Sequence, residues 1–578
     1  MPRLIKTFHI ILATLCCASM LAIPARPGQW QTITLSDGRQ VKVELRGDEH
    51  AHWWQDSLGN RYNCRVWTKE EGGRRNETEI WELVKEEKKL VSGTKRRGSR
   101  ARKNSLSSIL HTPSSKTSTL NLQPSPFTGP RKGLIILVEF ANKKFRSGND
   151  RNLFDRIANE RGFSEKGFKG SVGDYFRDQS NGMFDLSFDV IGPVTVSNDY
   201  EYYGKNVGPD DYDAHPDEMI VEACKLVNDE VDFSEYDWNS DGFVEQVVVI
   251  YAGQGEANGG GNNSIWPHEW ELVESDYGKT LRLDKVHINI YACSPELSSS
   301  TRLDGIGTLC HEFGHCLGLP DMYDGDSKNY GMGYWDVMDL GTYNGNGYQP
   351  AGFTAYEKMF CGWQQPIVLS ADTVINIMLA INEGGDTYII YNDAHPDEYY
   401  MLENRQKTGW DKSLPGSGLL ITHIDYDPDI WLWNTVNSFN TYYDVLDREY
   451  KNDHERCSVV QADNGKVKYG TSGDTYPYLF NDSLTVNSSP ATTLYHEDQM
   501  GNKQLQVAIK NIKMYHDNTI SFQFYQRRGH PSGIQQVKEN TLQTPIYSLQ
   551  GVLWGTDPRH LPKGIYINNG KKILVNQP

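Results

Sequence analysis

The sequence predicts a multidomain chain: a small β-rich unit, an α/β domain, a β-sandwich and a small C-terminal β unit. Three observations carry this. At 578 residues the chain is too long for one hydrophobic core. Between residues 129 and 365, continuous apolar strand runs are interspersed with helical stretches, as in an α/β domain around a buried sheet. Past Trp363 no long helical period appears, and short strand-like runs recur at the spacing of a sandwich.

At the N-terminus, Arg3 and Lys6 precede an apolar run from Ile10 to Ile23, followed by Pro24 and Ala25. Residues 1–25 therefore read as a secretory signal, with cleavage expected near Ala22 or Ala25. The run is short for a membrane span and no other stretch qualifies as a transmembrane segment, so the expected product is secreted or at the cell surface. Residues 26–92 form a small unit dense in charge and Trp, with alternation over Gln40 to Leu45 and turn signals at Asp37-Gly38 and Gly59-Asn60. Residues 93–128 carry KRRGSRARK and a Ser/Thr-rich stretch, a linker open to proteases of basic specificity.

In the α/β domain, Leu134 to Phe140 (LIILVEF) and Gln246 to Tyr251 (QVVVIY) are buried-strand runs, while Val172 to Phe176 and Met219 to Val227 have helical character. Lys285 to Ala292 alternates cleanly, which predicts a half-exposed edge strand able to pair with an extended peptide. Residues 366–527 hold the sandwich runs, among them Tyr388 to Tyr391, Tyr399 to Leu402, Gly418 to Ile424 and Thr519 to Phe524. After a linker at 528–542, residues 543–578 form the last β unit, with hairpin turns at Asn569-Gly570 and around Pro562 to Gly564.

A formal charge of −17 disfavours nucleic acid and anionic membrane as partners. Beyond the leader the seven cysteines are scattered without CxxC pairs, so neither a disulfide framework nor a cysteine-zinc module is expected.

The most informative stretch is His311 to Asp321, HEFGHCLGLPD. On a helix His311 and His315 lie one turn apart on one face, where both imidazoles can reach a single metal ion. Ile306, Cys310, Phe313 and Leu317 fall on the opposite stripe and would pack on a core. Glu312 points elsewhere and is free to act as base on a metal-bound water. Gly318 can stop the helix and bring Asp321 back as third ligand. Three protein ligands leave one zinc position open, which distinguishes a catalytic from a structural site. A glutamate from a following helix is the rival third ligand, but the next one, Glu357, comes 42 residues after His315 in a stretch that reads as core helix.

Asp237, Asn239, Asp241 and Glu245 occupy the first positions of an EF-hand-like loop, with Gly242 sixth. Val248 at the twelfth position excludes a complete EF-hand, which leaves a lone calcium-stabilised loop as the expectation.

The HExxHxxGxxD pattern resembles the extended zinc motif of metzincin-like peptidases. Met338, 23 residues past His315 within GYWDVMD, resembles the methionine of their tight turn below the zinc, with Met332 as competitor. Where many of them place a tyrosine two residues past this methionine, this chain has Leu340, which makes Tyr343 the candidate transition-state stabiliser. The whole set is similar to the M6 peptidases, the immune inhibitor A family. LIILVEF, DYFRDQSNGMF, the DxNxDGxVE loop, IGTLCHEFGHCLGLPDMYD, GYWDVMD and YMLENRQKTGWDKSLPGSGLLITHID carry the resemblance over residues 130 to 525.

That resemblance implies a secreted zinc endopeptidase with a metzincin-like catalytic domain over 129–365, His311, His315 and Asp321 as ligands and Glu312 as base. It makes residues 26–92 a propeptide, so the layout is that of a zymogen. The tail at 543–578 resembles sorting domains of type IX secretion cargo. Cys64, alone in the propeptide, could cap the zinc as a latency switch. The expected partners are protein or peptide substrates, host or glycosylated proteins among them. Two alternatives remain: a surface binding or adhesion protein with a non-catalytic zinc site, which the presence of Glu312 disfavours, and a glycoprotein-directed peptidase using Trp410, Trp431 and Trp433 on sugars.

Overall fold

The apolar run at 134–140 lies in the long strand Gly129–Glu139, in the interior of a six-stranded sheet. In this computed structural model the described residues are 21–48, 52–71, 74–84, 127–207, 212–325, 328–443 and 449–526. To these are added the strands Ile546–Ser548, Leu553–Gly555, Gly564–Asn568 and Lys571–Val575. Expectations for residues 1–20, the basic linker, the Cys64 side chain and the 528–542 linker lie outside them.

The sheet order is Leu21–Ala22, His268–Glu271, Ile290–Leu297, Val247–Gln254, Gly129–Glu139, Phe184–Thr195. The last four are parallel; His268–Glu271 runs antiparallel to Ile290–Leu297, and Leu21–Ala22 antiparallel to His268–Glu271. Because side chains alternate across a strand, Ile135, Leu137, Val248 and Ile250 face one core while Leu134, Ile136, Val247 and Val249 face the other. The helices Arg151–Asn159, Val172–Gln179 and Ile306–Cys316 pack into the first core, and Pro216–Val227 into the second. Two-sided burial explains why these strands read as continuous apolar runs.

The expected edge strand over Lys285 to Ala292 is corrected. Val286–Ile288 pairs in a small separate sheet with Leu281–Leu283 and Phe243–Val244, and Ile290–Leu297 is an inner strand of the large sheet. Asn289 separates them, its side chain bonded to Glu271 and to the Val273 N–H. Alternation marks a two-faced strand but does not say which neighbour covers it. Apart from the two-residue strand Leu21–Ala22 that pairs with it, the edge is His268–Glu271, four residues whose side chains are all buried and which therefore show no alternation of exposure.

The N-terminal unit is a five-stranded antiparallel sheet over Trp30–Thr34, Gln40–Gly47, His52–Asp56, Arg61–Glu71 and Arg74–Leu83. Past residue 365 a five-stranded and a four-stranded sheet share a core that includes Tyr400, Leu402, Leu419, Ile421, Ile509 and Phe522. Strands Thr373–Met378 and Leu484–Thr485 carry no signal strong enough to read from sequence. The opposite face of the five-stranded sheet, through Ile389, Tyr399, Met401, Ile424 and Cys457, joins the core beneath helix Ile306–Cys316. Arg405, fully buried, ties the two parts together with bonds to Asp411, Glu403 and the Gly352 carbonyl. Trp410, Trp431 and Trp433 lie in that same core, so their rings are spent on packing and not displayed to a sugar.

Residues 1–527 form one compact unit and 528–578 another. The second, in its described strands, is a four-stranded antiparallel sheet. Among the described residues no helix is long and apolar enough to cross a membrane, and none of the six described cysteines forms a disulfide.

Candidate metal centre

Helix Ile306–Cys316 is seated by its apolar stripe: Ile306, Leu309, Cys310, Phe313 and Leu317 are all in the core. The opposite face presents His311 and His315. Each ring is oriented by a backbone carbonyl, His311 Nδ1 by Val337 O at 2.7 Å and His315 Nδ1 by Leu319 O at 2.8 Å. With the Nδ1 protons donated there, both Nε2 lone pairs turn inward, 3.0 Å apart. Gly318, at φ 93°, reverses the chain after the helix, a conformation that glycine adopts without strain. The reversal returns Asp321, whose Oδ1 stands 3.1 Å from His311 Nε2 and 3.2 Å from His315 Nε2.

Among the described residues these three are the one group of His, Cys, Asp or Glu with ligand atoms close enough to share an ion. Asp321 Oδ1 accepts no hydrogen bond. Two lone pairs and a carboxylate oxygen aimed at one point repel one another unless a cation lies between them. An N, N, O set at this spacing fits zinc. Burial holds the His315 ring below its ordinary range, which keeps it neutral and able to ligate.

Met338 lies under the helix. A Cβ on Gly314 would come within 2.6 Å of its sulfur, and its carbonyl accepts the Met322 N–H at 2.8 Å. Met332 instead sits at the loop entrance, bonded to Met322 O and Asp339. Asp336 caps the Met338 N–H and faces Glu357, both fully buried; burial raises both carboxyls, and the neighbouring Asp336 raises Glu357 further, whereas the bond to Glu357 lowers Asp336. Glu357 is thus a core residue supporting the turn below the metal centre.

Glu312 lies at the foot of a cleft through which the N-terminal segment runs. Leu21–Ala22 pairs with the edge strand, Leu21 opposite Glu269 and Ala22 opposite His268. The Ile23 N–H then donates to Glu312 Oε1 at 3.2 Å. Tyr323 donates to the Ala22 carbonyl at 2.6 Å, Trp266 to the Ile23 carbonyl at 2.9 Å and Tyr343 to the Pro24 carbonyl at 2.6 Å. Ala22, Ile23 and Ala25 pack with Ala257, Trp266, Leu340 and Tyr343 in one apolar cluster.

Sequence reasoning missed two polar residues here. Tyr323 was within reach, as a phenol two residues past Asp321. Asn434 was not: its amide oxygen accepts the Asp321 N–H and its amide nitrogen donates to Asp321 Oδ2, from 113 residues away. In the loop at 237–245, Asp237, Asn239 and Asp241 accept the loop's own N–H groups, and Glu245 accepts that of Trp238. Burial pushes the Glu245 carboxyl up to about 8.

Residues 131–365 match the family described as Immune inhibitor A peptidase M6, catalytic domain. The chain is 28% identical over 280 residues to the pre-pro-metalloprotease PrtV of Vibrio cholerae serotype O1, covering 40% of this chain and 29% of that protein. It is 29% identical over 228 residues to Immune inhibitor A of Bacillus thuringiensis subsp. alesti, covering 32% of this chain and 31% of that protein. The match thus spans under a third of the length of these relatives. Helix, reversed loop and Met338 all lie inside the matched stretch, and over residues 131–365 the chain carries a stretch similar to the catalytic domain of the M6, immune inhibitor A, peptidases.

Proposed function

We propose that this protein is an exported, zinc-dependent endopeptidase of metzincin type, made as a zymogen. His311, His315 and Asp321 hold the ion and Glu312 is the general base. Calcium is not part of this reading. One observation carries it: a segment of extended chain lies along the edge strand and against the helix that bears His311 and His315, with a peptide N–H on Glu312. A cleft that takes a strand by main-chain pairing suits protein substrates.

Zinc bound there would polarise the scissile carbonyl and lower the pKa of a bound water to about 7. The chain's own residues do the rest. His268–Glu271 aligns the substrate strand by backbone hydrogen bonds. Glu312 takes a proton from the attacking water and delivers it to the leaving nitrogen. The Val337 and Leu319 carbonyls keep both histidine rings in the ligating tautomer. Residues Leu21–Arg26 occupy the same track, and the adjoining N-terminal sheet anchors there through Ala25 N–H on Gly47 O. Leu21 and Ala22 lie there before signal cleavage; after cleavage near Ala22, Ile23–Arg26 keep their contacts with Glu312, Trp266 and Tyr343, which supports latency until a cut in the linker at 93–128. Export rests on the apolar leader, and the type IX-like route on the tail at 543–578.

The test compares zinc content and casein cleavage for the full chain, activated by limited proteolysis, with Glu312→Ala. The variant should keep its zinc and lose about 10²–10⁴-fold in kcat. A zinc-loaded, activated wild type that cleaves no protein would refute the reading.

A further inference from the structure

Before signal cleavage, the Ala22–Ile23 peptide bond is held at both of its polar ends and lies in the site as a substrate bond would. Its N–H donates to Glu312 Oε1 at 3.2 Å, and its carbonyl oxygen accepts from the Tyr323 hydroxyl at 2.6 Å. We propose that Tyr323 supplies the oxyanion-stabilising hydrogen bond of the reaction, donating to the scissile carbonyl oxygen while Glu312 serves the nitrogen of the same bond. The inference rests on the endopeptidase reading above and assigns the role that Leu340, at the position after the methionine turn, has no donor to fill.

Register decides between the two tyrosines of the cleft. Tyr343 donates to the Pro24 carbonyl, two residues beyond the carbonyl that adjoins Glu312. It therefore anchors substrate chain downstream of the reacting bond. The two residues before Tyr323 are also held in place. Asn434 clamps Asp321, and Met322 is fixed by Met338 O, the Met332 N–H and the Asn437 amide. A Cβ on Gly331 would come within 3.1 Å of the Tyr323 Cα, so the loop is packed closely on its far side as well. A donor held in place before the reaction needs no reorganisation when charge develops.

The step balances as hydrolysis. Water oxygen bonds to the carbonyl carbon and gives its proton to Glu312, while the C=O π pair moves onto oxygen, where the Tyr323 O–H binds it. On collapse that pair re-forms the carbonyl, the C–N bond breaks, and the nitrogen leaves with the proton from Glu312. Tyr323 keeps its own proton throughout.

The test is Tyr323→Phe in the full chain, assayed before and after activation by limited proteolysis, with zinc content, kcat and KM measured separately. Loss of one oxyanion donor should lower kcat of the activated enzyme by about 10²–10³-fold, with KM little changed and zinc retained. Three results would overturn the proposal. An unchanged kcat after activation, with raised activity before it, would mean that Tyr323 only anchors the N-terminal segment. Loss of zinc in parallel with activity would make its role structural. A collapse of kcat in Tyr343→Phe but not in Tyr323→Phe would move the role to Tyr343. Failure of the activated wild type to cleave would instead strike the endopeptidase reading itself.

Discussion

Asn434 lies just past the short helix Pro428–Leu432 in a left-handed conformation, φ 54°, and spends its amide on both the backbone and the carboxylate of Asp321. Two explanations for an asparagine there compete, since asparagine also tolerates this backbone better than most residues. Asn434→Gly separates them, because glycine keeps the conformation and removes the amide. We expect zinc affinity, measured by chelator competition, to fall about 10–100-fold while the zinc-free chain melts near the wild-type temperature. Unchanged affinity would reduce Asn434 to a backbone role. At this scale the triad was legible because its members lie within eleven residues, where the helix period and the turn at Gly318 set their spacing. Asn434 was illegible because nothing local links it to a loop 113 residues earlier. Tyr343 was the candidate that the sequence offered; Tyr323 stood out only with a peptide beside both.

Helix Ile306–Cys316 carries two glycines that a helix would ordinarily disfavour, and each has a distinct neighbour. A Cβ on Gly307 would lie 1.9 Å from the Thr342 carbonyl, a backbone atom that cannot step aside. Gly314 faces the Met338 sulfur at 2.6 Å, the end of a flexible side chain. Alanine gains about 1 kcal/mol over glycine in a helix interior, whereas forced overpacking costs about 1–3 kcal/mol. Thermal melts of the zinc-free chain should therefore show Gly307→Ala destabilised and Gly314→Ala within about 1 kcal/mol of wild type. Equal melts would mean that the loop at 340–347 yields more readily than its packing implies. The apolar stripe made this helix readable from sequence. The edge strand was not, because His268–Glu271 is short and buried on both faces, while the alternating stretch at 285–292 divides between two sheets.

The matched family stretch ends at residue 365, but the core beneath the metal helix does not. Tyr399, Met401, Ile424, Trp431, Trp433 and Cys457 all belong to it. At about 1.5–3 kcal/mol for each large apolar side chain buried, these contribute on the order of 10 kcal/mol, as much as the whole stability of a typical domain. A fragment of residues 129–365 should accordingly fail to fold: rapid digestion in limited proteolysis and no stoichiometric zinc. A protease-resistant, zinc-binding fragment would show the catalytic stretch to be autonomous. The sequence by itself determined the grouping of His311, His315 and Asp321, the alternation of buried strands and helices around it, and the strand-rich character of residues 366–527, because each is written in local spacing and period. Tertiary structure alone decided which strand forms the edge of the cleft, which chain segment lies in it, which tyrosine meets the peptide bond at Glu312, and which distant asparagine orients Asp321. These depend on contacts between residues far apart in the chain, and no periodicity within one segment records its partner in another.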